Sequence, residues 1–357
     1  PGERIPRYRF WKIRSKHMIM ATGALERPLV FPNNDRPGIM LATAVSGYLH
    51  RYGVLAGKHI VIFTNNSIGH RTAVDISKTS AEIVTIVDSR TESLGPWEKA
   101  TSEIGIPIRW QSTVRNTKGR LNLNRVLVQS TNEQHREWLD CDLLAMSGGL
   151  SPTINLSAHT GGKAVWEKSR GVFLPDTHDN DFEAVGLCGG DESLQDCLVN
   201  GYVTGQLVAS NLGYQSGPSW SPTVDGDDPL ASEDAALPMS RHSQASIAFV
   251  DFQNDVTAAD MSLAVREGYR SIEHVKRYTT LGMGTDQGKL GNVNGIDLIA
   301  KSRGETVDQV GTTRFRPPVV PTSMSAIAGL LDEHVTHPMR RTAAHRLHEE
   351  AGAVWIN

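Results

Sequence analysis

A Rossmann-like α/β fold is predicted for the first two thirds of the 357-residue chain, on three observations. Residues 59–88 contain an apolar strand, a helix and a second strand, which is the length of one parallel β-α-β crossover. Two short glycine turns, Ala21–Gly23 and Gly189–Asp191, each follow a predicted strand and lie on either side of that unit. A helix with apolar periodicity is predicted to follow the second turn.

Local patterns justify each element in order. Alternation of apolar and basic residues predicts two strands within 7–20, and helical spacing over 40–52 predicts a helix that ends at Gly53. The further predicted elements are strand 59–63, helix 67–80, strand 82–87, a β-rich region 107–146, strand 184–188, helix 193–211, and helical segments 257–278, 293–303, 306–310 and 338–351.

Composition changes over residues 213–246, which are rich in Ser, Pro, Gly and Asp and are typical of a linker or long loop. Prolines 317, 318 and 321 mark a second junction. The predicted segments are 1–212, a partial FAD/NAD(P)-binding-like domain with a β-α-β insert near 57–150; 213–246, a linker; 247–316, a helical module; and 317–357, a linker with the start of another domain.

Charge and cysteine usage exclude several classes of function. The 36 basic and 39 acidic residues give a net charge of −3, so neither nucleic acid nor an anionic membrane is indicated as a partner. No apolar run approaches the ~18 residues of a membrane-spanning helix. Cys141, Cys188 and Cys197 lie among apolar neighbours, which predicts buried thiols in a reducing, cytoplasmic environment.

The β-α-β unit lacks most of the glycine fingerprint of dinucleotide-binding loops. That fingerprint needs glycine at positions 64, 66 and 69, but Thr64 and Asn66 replace the first two and only Gly69 remains. Asp88 lies where a ribose-binding acid belongs. We expect a Rossmann-like scaffold without a nucleotide at this loop, and Asp88 is the feature that favours the alternative.

Two weaker motifs carry no site. Met283 stands where a Walker loop ending at Lys289 needs glycine, and Leu290 replaces the residue that would hold Mg²⁺. His345 and His348 have the spacing of metal ligands on a helix, but nothing nearby completes a site, so a solvated face is expected. The sequence predicts no catalytic residue and no metal ligand.

The two glycine turns, by contrast, have the layout of the flavin- and pyridine-nucleotide disulfide oxidoreductases. In those proteins both turns lie beside one dinucleotide, and the N-terminus of the second helix faces its pyrophosphate. Ordinary turns without a ligand are the alternative.

Long strings of residues resemble one family more specifically. The chain is similar, over essentially its whole length, to the α subunit of heterotetrameric sarcosine oxidase, and Arg340–Ala353 resembles the start of that family's aminomethyltransferase-like folate domain. The strings that carry the resemblance are Ala21–Gly38, Phe249–Thr257, Ala264–Thr280 and Gly282–Lys289. Since the chain begins with Pro1, we expect an internal fragment of such a subunit.

The resemblance implies a flavoprotein complex that oxidatively demethylates sarcosine to glycine. Dioxygen becomes hydrogen peroxide, and the one-carbon unit passes to tetrahydrofolate or leaves as formaldehyde. FAD is expected on the β subunit, FMN at the contact between α and β, and NAD on the α subunit; smaller subunits complete the complex. The chain is expected to be inactive alone.

The family also implies which residues hold NAD here. They are Thr22, Gly23, Gly190, Asp191 and Leu194. In the family, a Gly-rich strand-turn-helix that precedes this segment holds the rest of the nucleotide, and the folate domain extends past it. Weak dinucleotide binding and no folate binding are therefore expected of this chain by itself.

The helical module resembles the [2Fe–2S] domain of bacterioferritin-associated ferredoxin, which needs four thiolates. The corresponding positions are Asp251, Gln253, Asp286 and Gly291. None is cysteine, so no iron–sulfur cluster is expected. The residues expected to face a flavin phosphate instead are Lys276, Arg277, Thr279, Thr280 and Lys289, with an ordinary helix surface as the alternative.

Two other functions stay open. One is the α subunit of a related N-methyl amino acid or opine oxidase, because the substrate pocket would lie on the β subunit. The other is a non-catalytic remnant that acts as an interaction module.

Overall fold

The computed structural model describes residues 11, 13–92, 95–132, 134–159, 161–177, 182–215, 217, 220–225, 247–328 and 340–354. The chain divides into two compact units, one of residues 16–319 and one of residues 1–15 with 320–357. The fold and the candidate sites described below belong to the larger unit.

The larger unit contains all of the described strands. They are β1 (Met18–Met20), β2 (Ala24–Glu26), β3 (Ile39–Leu41), β4 (His59–Thr64), β5 (Glu82–Asp88), β6 (Ile108–Arg109), β7 (Ser112–Lys118), β8 (Arg125–Ser130), β9 (Arg136–Asp140), β10 (Leu143–Ser147), β11 (Leu150–Pro152), β12 (Ala164–Glu167), β13 (Val172–Pro175), β14 (Phe182–Ala184), β15 (Phe249–Asp251) and β16 (Val256–Thr257).

The described helices of this unit are α1 (Ala42–Tyr52), α2 (Ser67–Ser77), α3 (Pro96–Ile104), α4 (Asn155–His159), α5 (Leu194–Asn211), α6 (Ala258–Arg266), α7 (Ile272–Thr279), α8 (Asn292–Arg303) and α9 (Val307–Val310). The smaller unit contains α10 (Met324–Ala328) and α11 (His345–Glu350). In the part of the chain that the structure describes, no helix is long and apolar enough to cross a membrane.

A five-stranded parallel sheet is the centre of the Rossmann-like domain, with the order β3-β10-β4-β5-β6. The predicted β-α-β unit is confirmed as β4, α2 and β5, with α2 three residues shorter than expected. β4 and β10 are almost wholly buried, as parallel strands covered on both faces must be. The predicted β-rich region is also confirmed, since β7, β8 and β9 form an antiparallel layer beside this sheet.

A carboxylate from another element caps helix α1. The residue before the helix, Leu41, offers no side-chain acceptor. Glu26 at the end of β2 accepts hydrogen bonds through Oε2 from Thr43 N at 2.9 Å and from Thr43 Oγ1 at 2.5 Å. A negative charge is favoured at a helix N-terminus, so this contact ties β2 to the sheet domain. The helix ends at Gly53 in the left-handed region, as predicted.

The two outer strands β1 and β14 pair in parallel, with Met20 opposite Ala184. Of the two strands predicted within 7–20, β1 covers 18–20, and residues 1–10 lie outside the described residues. The strand predicted over 184–188 is wrong, because β14 ends at Ala184 and a 3₁₀ turn covers Gly186–Cys188. The Asp191 carboxylate, which accepts Gly186 N at 2.7 Å, holds the chain in that turn.

The helical module is built from α6 to α9 and the β15–β16 hairpin. The helix predicted over 257–278 is two helices, because the chain turns at Gly268 with a φ of 89°. Asn34 fixes the module to the first domain, since its Nδ2 donates to Phe249 O and its Oδ1 accepts Phe249 N, both at 2.8 Å. Most of the linker predicted over 213–246 lies outside the described residues.

The three thiols differ in exposure. Cys141 and Cys188 are buried as predicted, but Cys197 is half-buried. Burial raises the pKa of Cys141 to about 12 and also raises the pKa values of the other two thiols. None is therefore a strong nucleophile at neutral pH.

The smaller unit carries the last predicted helix in a shorter form. The helix predicted over 338–351 covers His345–Glu350, and residues 338–339 lie outside the described part. His345 Nε2 lies 3.1 Å from Glu349 Oε1. Within the described residues, no three His, Cys, Asp or Glu side chains are grouped to hold a metal ion.

Candidate functional site

The two predicted glycine turns lie side by side. The parallel pairing of β1 and β14 directs both chains to the same edge, where each strand is followed by its turn. Thr22 Oγ1 donates to Thr153 O at 2.6 Å, and Cys188 Sγ contacts the same carbonyl oxygen at 3.6 Å. The turn at 21–23 and the turn that begins at Gly186 therefore meet at Thr153.

The second turn leads into the longest helix of the unit. Asp191 Oδ2 accepts Gly186 N, and its Oδ1 accepts Asn200 Nδ2 at 2.5 Å, so this carboxylate organises the turn. Gly190 has a φ of 94°, and a Cβ there would lie 2.5 Å from Arg170 Nη1. Helix α5, which begins three residues after Asp191, has 18 residues, and the N-terminus of a helix favours a phosphate group.

The predicted nucleotide residues do not all share one surface. Gly190 and Asp191 line a cleft, whereas Thr22, Gly23 and Leu194 do not. Leu194 is the first residue of α5 and its side chain is 47% exposed. The structure thus joins Thr22 to the second turn through Thr153, and it leaves the Leu194 side chain on the outside of the helix.

The cleft lies between the sheet domain and the second turn. It is lined by Ala24, Arg27, Asn65, Asn66, Ile68, Gly148, Gly149, Leu150, Pro152, Arg170, Val172, Leu187, Gly190, Asp191 and Glu192. Sequence reasoning assigned no role to Arg27 or Arg170. Arg27 stands inside the Ala21–Gly38 string, but only the tertiary contacts show that its side chain is buried at the cleft.

The loop after β4 is closed by its own side chains. Asn66 caps α2 by accepting Ile68 N at 2.9 Å. A Cβ on Gly69 would lie 2.6 Å from Thr64 Cβ, so the third glycine serves close packing of helix and strand, as its place in the fingerprint indicates.

Asp88 is not available as a ribose ligand. Its carboxylate is fully buried and contacts His70 Nε2 at 2.9 Å and Arg90 Nη2 at 2.8 Å. Burial alone would raise the pKa of Asp88, but the hydrogen bonds from His70 and Arg90 outweigh that effect and hold the pKa below its usual value. Asp88, the residue that favoured a nucleotide at this loop, is instead part of a buried ion-pair network with His70 and Arg90.

A second candidate site is a basic pocket on the helical module. It is lined by Glu273, Lys276, Arg277, Gly282, Met283, Gln287 and Arg316. Burial lowers the pKa of Lys276, Glu273 opposes that shift, and the positive charge of Arg316 adds to it. Three cations thus face one carboxylate, which favours an anionic ligand. Arg316 was not predicted, because it lies far from the helical string in sequence.

The other three residues predicted to face a flavin phosphate make different contacts. Thr279 Oγ1 donates to Val275 O at 2.8 Å, and Thr280 ends α7 in the left-handed region. Lys289 Nζ donates to Val319 O at 2.9 Å. Of the predicted group, Lys276 and Arg277 are the members that line the basic pocket.

The positions that correspond to cluster ligands form a hydrogen-bonded core of loops. Asp251 accepts Gly282 N at 2.8 Å, and Gln253 Oε1 accepts Thr285 Oγ1 at 3.0 Å and Asp286 N at 3.3 Å. A Cβ on Gly291 would lie 2.5 Å from Val250 O. The side chains of Asp251 and Gln253 thus join the loops, and Gly291 allows close packing against Val250.

Comparison with known proteins supports the family resemblance. The family model for the sarcosine oxidase A3 domain matches residues 245–330. The chain is 39% identical, over 100% of its length, to the α subunit of the sarcosine oxidase of Rhizobium meliloti, of which it covers 35%. It is 35% identical, over 99% of its length, to that of Corynebacterium sp. strain U-96, of which it covers 37%.

One solved structure shares the fold. The L-proline dehydrogenase of P. horikoshii superposes with a TM-score of 0.64 at 19% identity, over 88% of this chain and 58% of that one. That likeness confirms the Rossmann-type α/β architecture. A more distant relative is one of the subunits of the opine oxidase of Rhizobium meliloti, at 22% identity over 89% of this chain and 77% of the relative.

The sequence resemblance is therefore confirmed, and the chain spans 35–37% of the length of the sarcosine oxidase relatives named above. Over its whole length, this chain is a homologue of the sarcosine oxidase α subunits, and residues 245–330 carry the A3 domain of that family.

Proposed function

We propose that this chain is the nucleotide-binding and flavin-contacting part of the α subunit of a sarcosine oxidase complex. The observation that carries the proposal is the meeting of the two glycine turns at Thr153, next to the N-terminus of α5. In a chain homologous to sarcosine oxidase α subunits, that arrangement supports a dinucleotide site.

The dinucleotide in this proposal is NAD, which binds without being a redox partner of the substrate. Gly190 and Asp191 form the turn under its pyrophosphate, and the N-terminus of α5 at Leu194 supplies the positive end of the helix dipole. Thr22 and Gly23 belong to the neighbouring turn, which the Thr22 hydrogen bond to Thr153 O holds in place. These residues bind and orient the nucleotide.

The basic pocket is proposed to take the phosphate of FMN at the contact with the β subunit. Lys276, Arg277 and Arg316 line it and supply the positive charge. When bound, the flavin supplies electron transfer to dioxygen, which is chemistry that belongs to the cofactor. The protein side chains hold the phosphate and so fix the position of the cofactor.

The complex as a whole is proposed to oxidise sarcosine at FAD on the β subunit. Its products are glycine, hydrogen peroxide and a one-carbon unit that passes to tetrahydrofolate or leaves as formaldehyde. The α subunit thus acts as a scaffold and cofactor holder, and no residue of this chain is assigned to bond breaking at the substrate.

Isolation of the native complex that contains this chain tests the proposal. We expect stoichiometric NAD and FMN in the denatured extract, a flavin-bearing partner subunit, and oxygen uptake that depends on sarcosine. A complex that lacks flavin, or recovery of the chain alone under conditions that keep related complexes intact, would contradict it and favour an interaction module.

The pocket can be tested separately from the nucleotide site. In the assembled complex, Arg316→Gln and Lys276→Gln are expected to lower the FMN content while the NAD content stays unchanged. The matched control is Arg266→Gln on α6, an exposed cation that does not line the pocket. FMN content equal in all variants would remove the pocket from the proposal.

A related oxidase is the second candidate, and the opine oxidase match is the observation that favours it. The substrate would distinguish the two, because in either case the substrate pocket is proposed to lie on the β subunit. Oxygen uptake by the native complex with an opine, and none with sarcosine, would favour that candidate.

A further inference from the structure

Arg27 is a buried cation without a matching anion. Its side chain is 2% exposed, and its Nη1 donates to Gly171 O at 3.1 Å. Nε is buried and has no hydrogen-bond partner in the part of the chain that the structure describes. Among the residues that the structure describes, no carboxylate pairs with this guanidinium; the acidic group that influences it, Asp297, lies 2.7 Å from Lys301 Nζ.

A buried guanidinium without a carboxylate partner lowers the stability of the folded protein when no ligand is bound. Burial lowers the pKa of Arg27 to about 10, so the guanidinium is still charged at neutral pH. A buried charge without a partner destabilises a protein, and an unsatisfied buried donor indicates a missing acceptor. Nε and Nη2 lie on the same edge of the guanidinium, which is the edge that binds a carboxylate through two parallel hydrogen bonds.

Open space lies beside Nη2 of that edge, whereas Nε is buried. Gly149 has a φ of 88°, and a Cβ built on it would lie 3.5 Å from Arg27 Nη2. Glycine at this position therefore leaves room beside the guanidinium. The space belongs to the cleft that also contains Gly190 and Asp191.

The other charged groups of the cleft already have partners. Arg170 Nε lies 2.7 Å from Glu192 Oε1. The Asp191 carboxylate accepts hydrogen bonds from Gly186 N and Asn200 Nδ2. Arg27 is thus the charged side chain of the described cleft that still lacks a carboxylate partner, and a ligand with one negative charge would balance it.

The walls of the cleft are largely apolar. They include Ala24, Ile68, Leu150, Pro152, Val172 and Leu187. One cation at the base and apolar walls suit a carboxylate on a small hydrophobic body better than a phosphate dianion, which needs more donors and more positive charge.

We propose that the Arg27 cleft binds a small monocarboxylate with an apolar body, with the carboxylate on Nη2 of Arg27. This site goes beyond the proposed function, since it needs neither a dinucleotide nor a flavin. Its test contains no nucleotide and no partner subunit, so its outcome is independent of the test of the oxidase proposal.

The experiment measures binding of benzoate to the full chain by titration calorimetry in a chloride-free, phosphate-free buffer. Benzamide has the same ring without the charge, and acetate has the charge without the ring. We expect benzoate to bind at least about tenfold more tightly than either, because each probe lacks one part of the recognition.

Arg27→Met keeps much of the side-chain volume and removes the charge, so it is expected to weaken benzoate binding at least about tenfold. The control is Arg109→Met, which removes an arginine that pairs with Glu137 outside the cleft. Circular dichroism checks that each variant is folded. The comparison of the three probes on the unmodified chain keeps the test valid if Arg27→Met does not fold.

Equal binding of benzoate and benzamide would overturn the proposal, as would benzoate binding that survives Arg27→Met in a folded protein. Acetate binding as tight as benzoate would overturn the assignment of an apolar body. Absence of benzoate binding to the folded, unmodified chain would also overturn it.

Discussion

His70 Nε2 lies 2.9 Å from Asp88 Oδ2, and both side chains are fully buried. His70 also stacks on Trp110, with 5.5 Å between ring centroids, and its Nδ1 lies 3.0 Å from Thr101 Oγ1. Arg90 joins Asp88 to Glu98 on the other side. The position that holds ribose in dinucleotide-binding relatives of this fold is thus part of the core.

This network predicts a large effect of Asp88→Asn on stability. The change leaves the buried Arg90 with less compensation, and removal of one partner of a buried ion pair typically costs about 3–5 kcal/mol. Urea unfolding of the chain measures the loss. The control is Asp140→Asn, since the Asp140–Arg125 pair is exposed and an exposed pair contributes about 0–1 kcal/mol. Equal losses in the two variants would contradict a structural role for Asp88.

The same network predicts acid sensitivity. Burial tends to raise the pKa values of Asp88 and Glu98, but hydrogen bonds, chiefly from His70 to Asp88 and from Arg90 to Glu98, hold both below the ordinary 3.8 and 4.5. A carboxylate with a lowered pKa stabilises the folded state above its unfolded pKa, and this contribution is lost as the pH falls through the folded pKa.

Urea midpoints recorded from pH 6 down to pH 3 should therefore fall most steeply below about pH 4.5. Asp88→Asn should have a shallower fall, because one of the two carboxylates is absent. A variant whose midpoint falls as steeply as that of the unmodified chain would count against this assignment.

The raised pKa of Glu26 predicts that its contribution to stability depends on pH in the opposite direction. Burial raises its pKa above 4.5, against the hydrogen bonds from Thr43. Its contribution to stability is therefore fully present below the unfolded pKa and is lost as the pH rises through the folded pKa. Glu26→Gln keeps an acceptor for Thr43 N and removes the charge.

The stability of Glu26→Gln relative to the unmodified chain should thus increase between pH 4 and pH 8. Glu26→Ala removes the cap of α1 and should be less stable by about 1–2 kcal/mol near pH 4. Urea unfolding at both pH values is the measurement. A Glu26→Gln difference that is the same at pH 4 and pH 8 would show that this carboxyl titrates normally.

Gly69→Ala tests the close packing of α2 on β4. The added Cβ would meet Thr64 Cβ at 2.6 Å, and overpacking of this kind costs about 1–3 kcal/mol. Gly201→Ala on α5 is the matched control, because nothing lies within 4 Å of its added Cβ. Replacing an unhindered helical glycine by alanine should stabilise the chain by about 0.5–1 kcal/mol. Thermal unfolding of both variants should give shifts of opposite sign.

Much of the sheet domain could be predicted because its signals are local. The apolar runs of β4 and β5 and the periodicity of α1 identify their elements without reference to the rest of the chain. The strand predicted over 184–188 was wrong because a contact from outside that segment decides its structure. Its apolar composition suits a strand, but the hydrogen bond from Gly186 N to the Asp191 carboxylate folds it into a 3₁₀ turn.

The candidate sites depend more on contacts between distant segments. Lys276 and Arg277 were predicted from a helical string, yet Arg316 reaches the same pocket from a segment that has no such pattern. Arg27 lies in a string that was recognised for its family resemblance. Its burial without a counter-charge depends on the β12–β13 hairpin and on the turn at Gly149.

The sequence by itself determined that the chain is an α/β protein similar to the sarcosine oxidase α subunits, that the loop after β4 lacks two of its three glycines, and that the positions corresponding to cluster ligands hold no cysteine. These are properties of residue type and short spacing. Tertiary structure alone decided that Asp88 binds His70, that Thr22 and Cys188 meet at Thr153, and that Arg27 has no carboxylate partner among the described residues. The partner of a polar group is set by long-range packing, which residue spacing along one chain does not encode.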